Sequence, residues 1–279
     1  MTSSRVSSAC PAGGPASAWP SVSVLGFRLD LVTLEQAAQR IVSVAGERKP
    51  SEIAAASSGP AFLAVSFNPE LVMRAQKDPA VAEALLNADL CYPDGVGAVW
   101  AARRQLARLA PAATGAAAPE RVAGIDLAQR VLELAAARGL PVYFLGAAEG
   151  VAAEAARRQA ERTAGLRMAG CHHGYFSPAD EDDVVRAVRD SGAGILLVAL
   201  GAPRQEVLLY GRRSEMGVAA ALGVGGSFDV WAGKAKRAPA WIQRGKVEWL
   251  YRLVRQPSRL RRQMALVRYA AQVLRGPGA

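Results

Sequence analysis

Five segments of the sequence place polar or charged residues or glycine directly after an apolar run, and four of them contain glycine. Glycine lets a ligand approach the backbone closely, and the free N–H groups at the start of a following helix can bind phosphate. The same composition is also typical of tight turns between a strand and a helix. None of the segments has the G-x-G-x-x-G or the Walker pattern of common nucleotide-binding loops. The segments are Ser66-Phe67-Asn68-Pro69, Pro93-Asp94-Gly95, Gly146 with Gly150, Gly201-Ala202-Pro203-Arg204-Gln205-Glu206 and Gly225-Gly226-Ser227-Phe228-Asp229.

Asp94 is the strongest candidate for acid–base chemistry. It lies between a proline and a glycine at the predicted end of a strand, where its carboxylate could take a proton from a hydroxyl group as a general base. Aspartate is also a common N-cap, so the same residue could instead begin the next helix. Ser66 and Asn68 also have two interpretations, since each could bind a sugar hydroxyl or cap a helix.

Several other chemistries find little support. The adjacent His172 and His173 have no cysteine or carboxylate at the spacing of metal ligands, so the sequence predicts no metal site. The acidic run Asp180 to Asp183 is typical of a solvated first helical turn, where the helix dipole favours negative charge. No G-x-S-x-G motif indicates a serine hydrolase. The three cysteines lie far apart, which argues against a disulfide framework and fits a reducing compartment.

Strands and helices alternate along most of the chain, and they must position these residues. Apolar runs such as Gly194 to Leu200 are too hydrophobic to have a wet face, which predicts an α/β fold with a parallel sheet covered by helices on both sides. Ligands of such folds bind at the carboxyl ends of the strands. The predicted strands are a hairpin arm at 21–30 and runs at 61–67, 89–92, 141–145, 166–171, 194–200 and 218–224. The predicted helices are 31–45, two starting at Pro69 and Pro79, 96–109, 126–138, 150–163, one starting at Ser177-Pro178, and 203–216.

Charge divides the chain unequally. From Gly233 onward there are 12 Lys and Arg against one acid, Glu248, whereas the rest has 22 bases and 23 acids. We therefore divide the chain into a disordered lead-in (1–20), a body (21–232) and a basic C-terminal segment (233–279). The lead-in is rich in Ser, Ala, Pro and Gly and does not have the apolar run of a secretory signal.

The basic C-terminal segment combines basic and apolar residues at helical spacing, and Pro257 predicts a break between two helices. Amphipathic helices with Arg, Trp and Leu suit a lipid headgroup interface, where each base adds about 1 kcal/mol of attraction to an anionic leaflet. A helical hairpin packed on the body with a charged rim is the alternative. Nucleic acid is a third anionic partner, but the body is neutral and has no recognised nucleic-acid module. The apolar run Ala193 to Ala202 is about half the roughly 20 residues that span a bilayer.

Nine short motifs in a fixed order resemble the WecG/TagA/CpsF family of bacterial glycosyltransferases. The resemblance runs from about Val22 to Leu260, and it is specific because the whole ordered set is present. The Ala/Pro-rich loop at Ala110 to Pro119 and the lead-in are additions outside the motifs, and they leave the acceptor open. The motifs are S-F-N-P-E, P-D-G-V-G, R-V-A-G-I-D-L, F-L-G-A, H-G-Y-F, G-A-P-R-Q-E, G-V-G-G-S-F-D, K-R-A-P-x-W and E-W-L-Y-R-L.

The resemblance implies a Rossmann-like enzyme that transfers a sugar from a UDP-sugar with inversion. The usual donor is UDP-N-acetylmannosamine or its uronic acid, and the usual acceptor is N-acetylglucosamine on undecaprenyl diphosphate. It implies no metal or other cofactor, a cytoplasmic location at the inner face of the cell membrane, and contact with anionic lipid through the C-terminal segment. A UDP-glucose or other hexosyltransferase remains an alternative, as does a non-enzymatic nucleic-acid-binding protein. The oligomeric state is left open, a homo-oligomer included.

The resemblance also assigns roles to residues. It makes Asp94 the base that deprotonates the acceptor hydroxyl, and it places Ser66, where relatives often have Thr, in the sugar pocket with Asn68. Arg121 and Gln205 would hold donor or acceptor groups. The residues expected to contact the nucleoside and diphosphate are Gly95, Gly146, Gly201, Gly226 and Asp229.

Three arginines of the C-terminal segment match basic positions of the family: Arg252, Arg259 and Arg262. Because an inverting displacement leaves extra charge on UDP, nearby cations stabilise the transition state. The resemblance therefore implies that these arginines assist departure of UDP, and that the segment docks on the membrane and closes over the site.

Overall fold

The computed structural model describes residues 19–48, 59–109, 119–237, 239 and 260–276. A two-stranded hairpin precedes a six-stranded sheet, and helices connect the strands of the sheet. The strands are β1 (Ser21–Val24), β2 (Phe27–Asp30), β3 (Phe62–Phe67), β4 (Leu90–Pro93), β5 (Pro141–Gly146), β6 (Arg167–His172), β7 (Ile195–Ala199) and β8 (Ala220–Gly223). The helices are α1 (Leu34–Glu47), α2 (Pro69–Ala75), α3 (Pro79–Leu86), α4 (Val96–Leu109), α5 (Gly124–Ala137), α6 (Val151–Arg162), α7 (Glu181–Asp190), α8 (Arg204–Arg212), α9 (Ser227–Trp231) and α10 (Leu260–Arg275).

The large sheet is entirely parallel, with strand order β4-β3-β8-β7-β5-β6. All five residues of β7 are buried. Leu196 and Val198 join the core on one face of the sheet, whereas Ile195 and Leu197 join the core on the other. This alternation confirms the predicted α/β fold with helices on both faces, because a strand buried on both sides must be apolar throughout.

Most helices begin where the sequence predicts. Thr33 caps α1 in a reciprocal capping box with Gln36, and Pro69 and Pro79 occupy the first turns of α2 and α3. The start predicted for α7 at Ser177-Pro178 is wrong. That helix begins at Glu181, because the Asp180 carboxylate accepts hydrogen bonds from the Ser177 backbone N–H and hydroxyl and holds a turn there.

Helix α10 packs on α2 and α4 and runs parallel to α4. Near its start, Leu266 lies next to Gly97 in the first turn of α4. Near its end, the Leu274 carbonyl accepts hydrogen bonds from Arg104 and Arg108 in the last turns of α4. The beginning of α10 therefore lies at the same edge of the sheet as the carboxyl ends of the strands.

Some predictions concern residues outside the described ranges: the disordered lead-in, nearly all of the 110–119 loop and the helix break at Pro257. Among the described helices, none is long and apolar enough to cross a bilayer.

Candidate active site

The candidate residues meet at one edge of the sheet, because the carboxyl ends of parallel strands all point the same way. Two of the three predicted arginines, Arg252 and Arg259, lie outside the described residues. Arg262 lies in the first turn of α10, and its side chain is not described. The predicted residues that the structure brings to this edge are Ser66, Asn68, Asp94, Gly95, Arg121, Gly146, Gly201, Gln205, Gly226 and Asp229.

Asp94 is not the cap of the following helix. Helix α4 starts at Val96, and the Gly95 carbonyl accepts the bond from Val99 N–H at 3.4 Å, so Gly95 occupies the N-cap position. The Asp94 N–H is bound to the Phe67 carbonyl at 3.0 Å, which joins the ends of β3 and β4. Its half-buried carboxylate is directed towards the start of α5, where a Cβ on Gly124 would lie 3.8 Å from Oδ2. The carboxylate therefore lies at the junction of β4 with the starts of α4 and α5.

Tyr92 lies beside Asp94 and was missed in the sequence, where it reads as one more apolar strand residue. It is fully buried, and its hydroxyl donates to the Gly223 carbonyl at 3.5 Å and also hydrogen-bonds to Ser66. Burial, followed by the negative charges of Asp94 and Glu206, raises the pKa of Tyr92 well above its usual value. The phenol is therefore a neutral group that fixes the floor of the site.

Asn68 caps α2, as its structural reading predicted. Its Oδ1 accepts from the Leu71 N–H at 2.9 Å, and its Nδ2 donates to Ser66 Oγ at 2.9 Å. The Ser66 and Asn68 side chains therefore form one small network at the end of β3, continuous with Tyr92 below. Carboxamide and hydroxyl oxygens each accept more than one hydrogen bond, so both side chains can accept a further bond from a ligand.

Gln205 ties two strand ends together. Its Oε1 accepts from the N–H groups of Gly201 and Gly225, each at 3.2 Å, and its Nε2 donates to Glu206 at 2.8 Å. The residue is only 4 % exposed, and a Cβ on Gly223 would meet its Nε2 at 2.5 Å. In this structure Gln205 holds the loops after β7 and β8 from beneath, with its carboxamide turned to the backbone.

Helix α5 starts directly beside β4. The Val122 N–H donates to the Pro93 carbonyl at 2.8 Å, which places Arg121 next to Asp94. In the first turn of α5, Asp126 makes a two-bond ion pair with Arg237, with both distances 2.7 Å. Both partners belong to motifs that the sequence analysis quoted, but only the fold shows that they meet.

The loop after β6 presents an exposed aromatic ring on a firmly held backbone. The Arg204 guanidinium donates to the carbonyls of Gly174 and Phe176, and it stacks on the Phe176 ring at 4.5 Å. Gly174 itself donates to the Ala147 carbonyl at 2.8 Å. Between these contacts Tyr175 is 77 % exposed, a suitable surface for stacking a nucleobase or a sugar. The H-G-Y-F motif contained this residue, but its exposure could not be read from the sequence.

Helices α6, α8 and α9 begin at this edge without a side-chain N-cap, and Gly150, Pro203 and Gly226 occupy their N-cap positions. The first N–H groups of α6 and α9, at Val151 and Ser227, donate to the carbonyls of Ala148 and Val224. The remaining N–H groups of a first helical turn have no intrahelical partner and suit an anionic ligand such as a diphosphate. Asp229 adds one acid in the first turn of α9. Within the described ranges, no three His, Cys, Asp or Glu side chains lie close enough together to hold a metal ion.

Residues 22–277 match the model of the Glycosyl transferase WecG/TagA/CpsF family. The match covers nearly the whole chain and includes every strand whose end contributes to the site.

Proposed function

The chain belongs to the WecG/TagA/CpsF glycosyl transferase family, and on that premise we propose that it transfers N-acetylmannosamine, or its uronic acid, from the UDP-sugar to a polyprenyl-diphosphate-linked N-acetylglucosamine with inversion. The family implies a sugar donor and a lipid-linked acceptor in general. The identity of both sugars and the use of UDP are part of the proposal.

The observation that carries the proposal is the position of Asp94. Its carboxylate stands at the end of β4, and its N–H bonds to the carbonyl of Phe67, between Ser66 and Asn68. An acceptor hydroxyl next to this carboxylate loses its proton to Asp94 while its oxygen attacks the anomeric carbon from the face opposite the diphosphate. The bond from that carbon to the diphosphate breaks, and UDP leaves with the electron pair.

The other half of the edge suits the nucleotide. Helices α6, α8 and α9 start there without a side-chain N-cap, and backbone N–H groups of their first turns are the proposed contacts to the diphosphate. The exposed ring of Tyr175 is the proposed stacking surface for uracil. Asp229 and Arg121 remain proposed contacts to the substrates. In this proposal the negative charge that develops on the departing UDP is stabilised by cations of the C-terminal segment, Arg252, Arg259 and Arg262, so that no metal ion is required.

Release of UDP from a panel of UDP-sugars tests the proposal. The reaction contains a short-chain lipid-diphosphate-N-acetylglucosamine acceptor and is run with and without EDTA. We expect acceptor-dependent release with UDP-N-acetylmannosamine or its uronic acid, at a rate that EDTA leaves unchanged. Selective turnover of UDP-glucose would refute the proposed donor and support the alternative, a UDP-glucose-dependent hexosyltransferase. A folded, full-length protein that turns over no donor would refute the proposed reaction.

We further propose that the basic C-terminal segment contacts an anionic membrane surface at the inner face of the cell membrane. Helix α10 buries Tyr269 and Val273 against the body but leaves Val267 65 % exposed and Leu274 50 % exposed. Arg268 and Arg275 are exposed beside them. Apolar and basic side chains on one exposed surface suit the headgroup region.

We expect the protein to co-sediment with vesicles that contain phosphatidylglycerol but not with pure phosphatidylcholine vesicles. Since one base near an anionic leaflet contributes about 1 kcal/mol, Arg268→Glu should weaken binding about tenfold or more. Arg186→Glu, an equal charge change on the exposed face of α7, is the matched control and should have little effect. Equal weakening by both variants would show a general effect of net charge rather than a docking surface.

A further inference from the structure

The ion pair between Asp126 and Arg237 joins α5 to the first residues of the basic C-terminal segment. Both guanidinium nitrogens bond to carboxylate oxygens at 2.7 Å, across 111 positions of the sequence. Such fork-to-fork pairs fix orientation as well as distance. The Arg237 side chain is 29 % exposed and that of Asp126 is 42 % exposed, and ion pairs at that exposure add little to the free energy of folding. The ion pair therefore contributes more to the position of the C-terminal segment relative to α5 than to the free energy of folding.

One side of the pair is fixed to the Asp94 turn. Asp126 is the third residue of α5, and the first residue of that helix, Gly124, is close to the Asp94 carboxylate. The bond from Val122 N–H to the Pro93 carbonyl at 2.8 Å holds this helix start against the end of β4. A group bound to Asp126 is therefore held at a fixed distance from Asp94.

The backbone that leads to Arg237 is also held. The Asp229 carbonyl accepts from the N–H groups of Lys234 and Ala235 at 2.8 and 3.0 Å. Gly233 has φ +75°, and a Cβ there would lie 2.6 Å from an Arg158 nitrogen. Beyond this turn, the two bonds from Arg237 join the chain to α5.

Helix α10 of the C-terminal segment lies close to the start of α4, which follows Asp94. Leu266 of α10 lies 3.9 Å from the Cβ position of Gly97, three residues after Asp94. Both ends of the connection between Arg237 and Leu260 are thus attached to elements that flank Asp94.

We propose that Asp126 and Arg237 are a positioning pair that fixes the start of the basic C-terminal segment beside Asp94, so that sugar transfer depends on the pair although neither side chain contacts the substrates. The inference rests on the proposed function for its link to catalysis, but not for the anchoring itself.

A charge-swap series in the full-length protein tests this proposal. We expect Asp126→Ala and Arg237→Ala each to lower kcat about ten- to a hundredfold, because small misplacements at an active site have effects of that size. The double variant Asp126→Arg with Arg237→Asp restores the ion pair in reverse and should recover kcat to within about threefold of the wild type, since a pair that only positions can be reversed.

Hydrogen–deuterium exchange gives a second readout that does not depend on turnover. Amides of residues 231–237 should exchange faster in the two single variants and return towards wild-type rates in the swap. Arg130→Ala is the matched control, because Arg130 makes a similar two-bond pair with Glu35 from the same helix, away from Asp94. It should leave both kcat and exchange at 231–237 unchanged.

Two outcomes would overturn the proposal. If the swap is as inactive as Arg237→Ala while Asp126→Ala is active, Arg237 acts on the substrate itself. If both single variants keep wild-type kcat and exchange, the pair has no positioning role. A wild-type protein that is inactive with every donor would refute the proposed function instead, and the exchange measurements would still decide whether the pair anchors the segment.

Discussion

Asp94→Asn is expected to lower kcat for sugar transfer by about 10²- to 10⁴-fold, the range that a general base contributes. The carboxamide keeps the size of the side chain but cannot accept the proton of the acceptor hydroxyl. Because asparagine is as favourable as aspartate at the start of a helix, the loss should not come from a weakened α4. The thermal midpoint of unfolding should therefore stay close to that of the wild type.

The measurement is acceptor-dependent UDP release at saturating donor, with circular dichroism to follow unfolding. Asp183→Asn is the control, since that carboxylate is 73 % exposed on α7 and belongs to a surface ion pair. It should retain wild-type kcat. If Asp94→Asn also retained activity, another group would have to accept the proton, and Asp94 would be a structural residue of the turn.

The strands of the sheet could be predicted because the property that marks them, an unbroken apolar run, is visible in the local sequence. A strand covered by helices on both faces must be apolar at every position, so the run that contains Ile195–Ala199 is recognisable without any knowledge of its neighbours. Glycine, proline and polar residues mark where each run stops. For this reason the strand predicted at 61–67 differs by only one residue from the observed strand Phe62–Phe67.

The residues that connect distant segments could not be predicted. Gln205 reads as a ligand contact in its motif, but its partners lie in the loops after β7 and β8, which only the strand order brings together. Tyr92 is part of an apolar run in the sequence. The partners of its hydroxyl, on β3 and β8, are known only once the order of the strands is known. The α7 start was misplaced for a smaller reason, since a side-chain bond within one turn delayed the helix.

Gly146→Ala is expected to lower the free energy of unfolding by about 4 kcal/mol, since it combines about 1–3 kcal/mol of backbone strain with about 1–3 kcal/mol of overpacking. Gly146 has φ +134°, outside the region that alanine adopts, and a Cβ there would lie 2.5 Å from the Ala199 carbonyl carbon and oxygen. Neither atom can move away, because β5 and β7 are paired at this position.

Gly201→Ala is the matched comparison for Gly146→Ala. Gly201 also follows a strand and has φ +77°, but nothing lies within 4 Å of its Cβ position. Its cost should be only about 1–2 kcal/mol, the strain of a left-handed residue with a side chain. Urea unfolding of both variants measures the difference. Equal losses would mean that φ alone makes glycine necessary at these strand ends. A larger loss at Gly146 would mean that the close approach of β5 to β7 also requires glycine there, in addition to the positive φ.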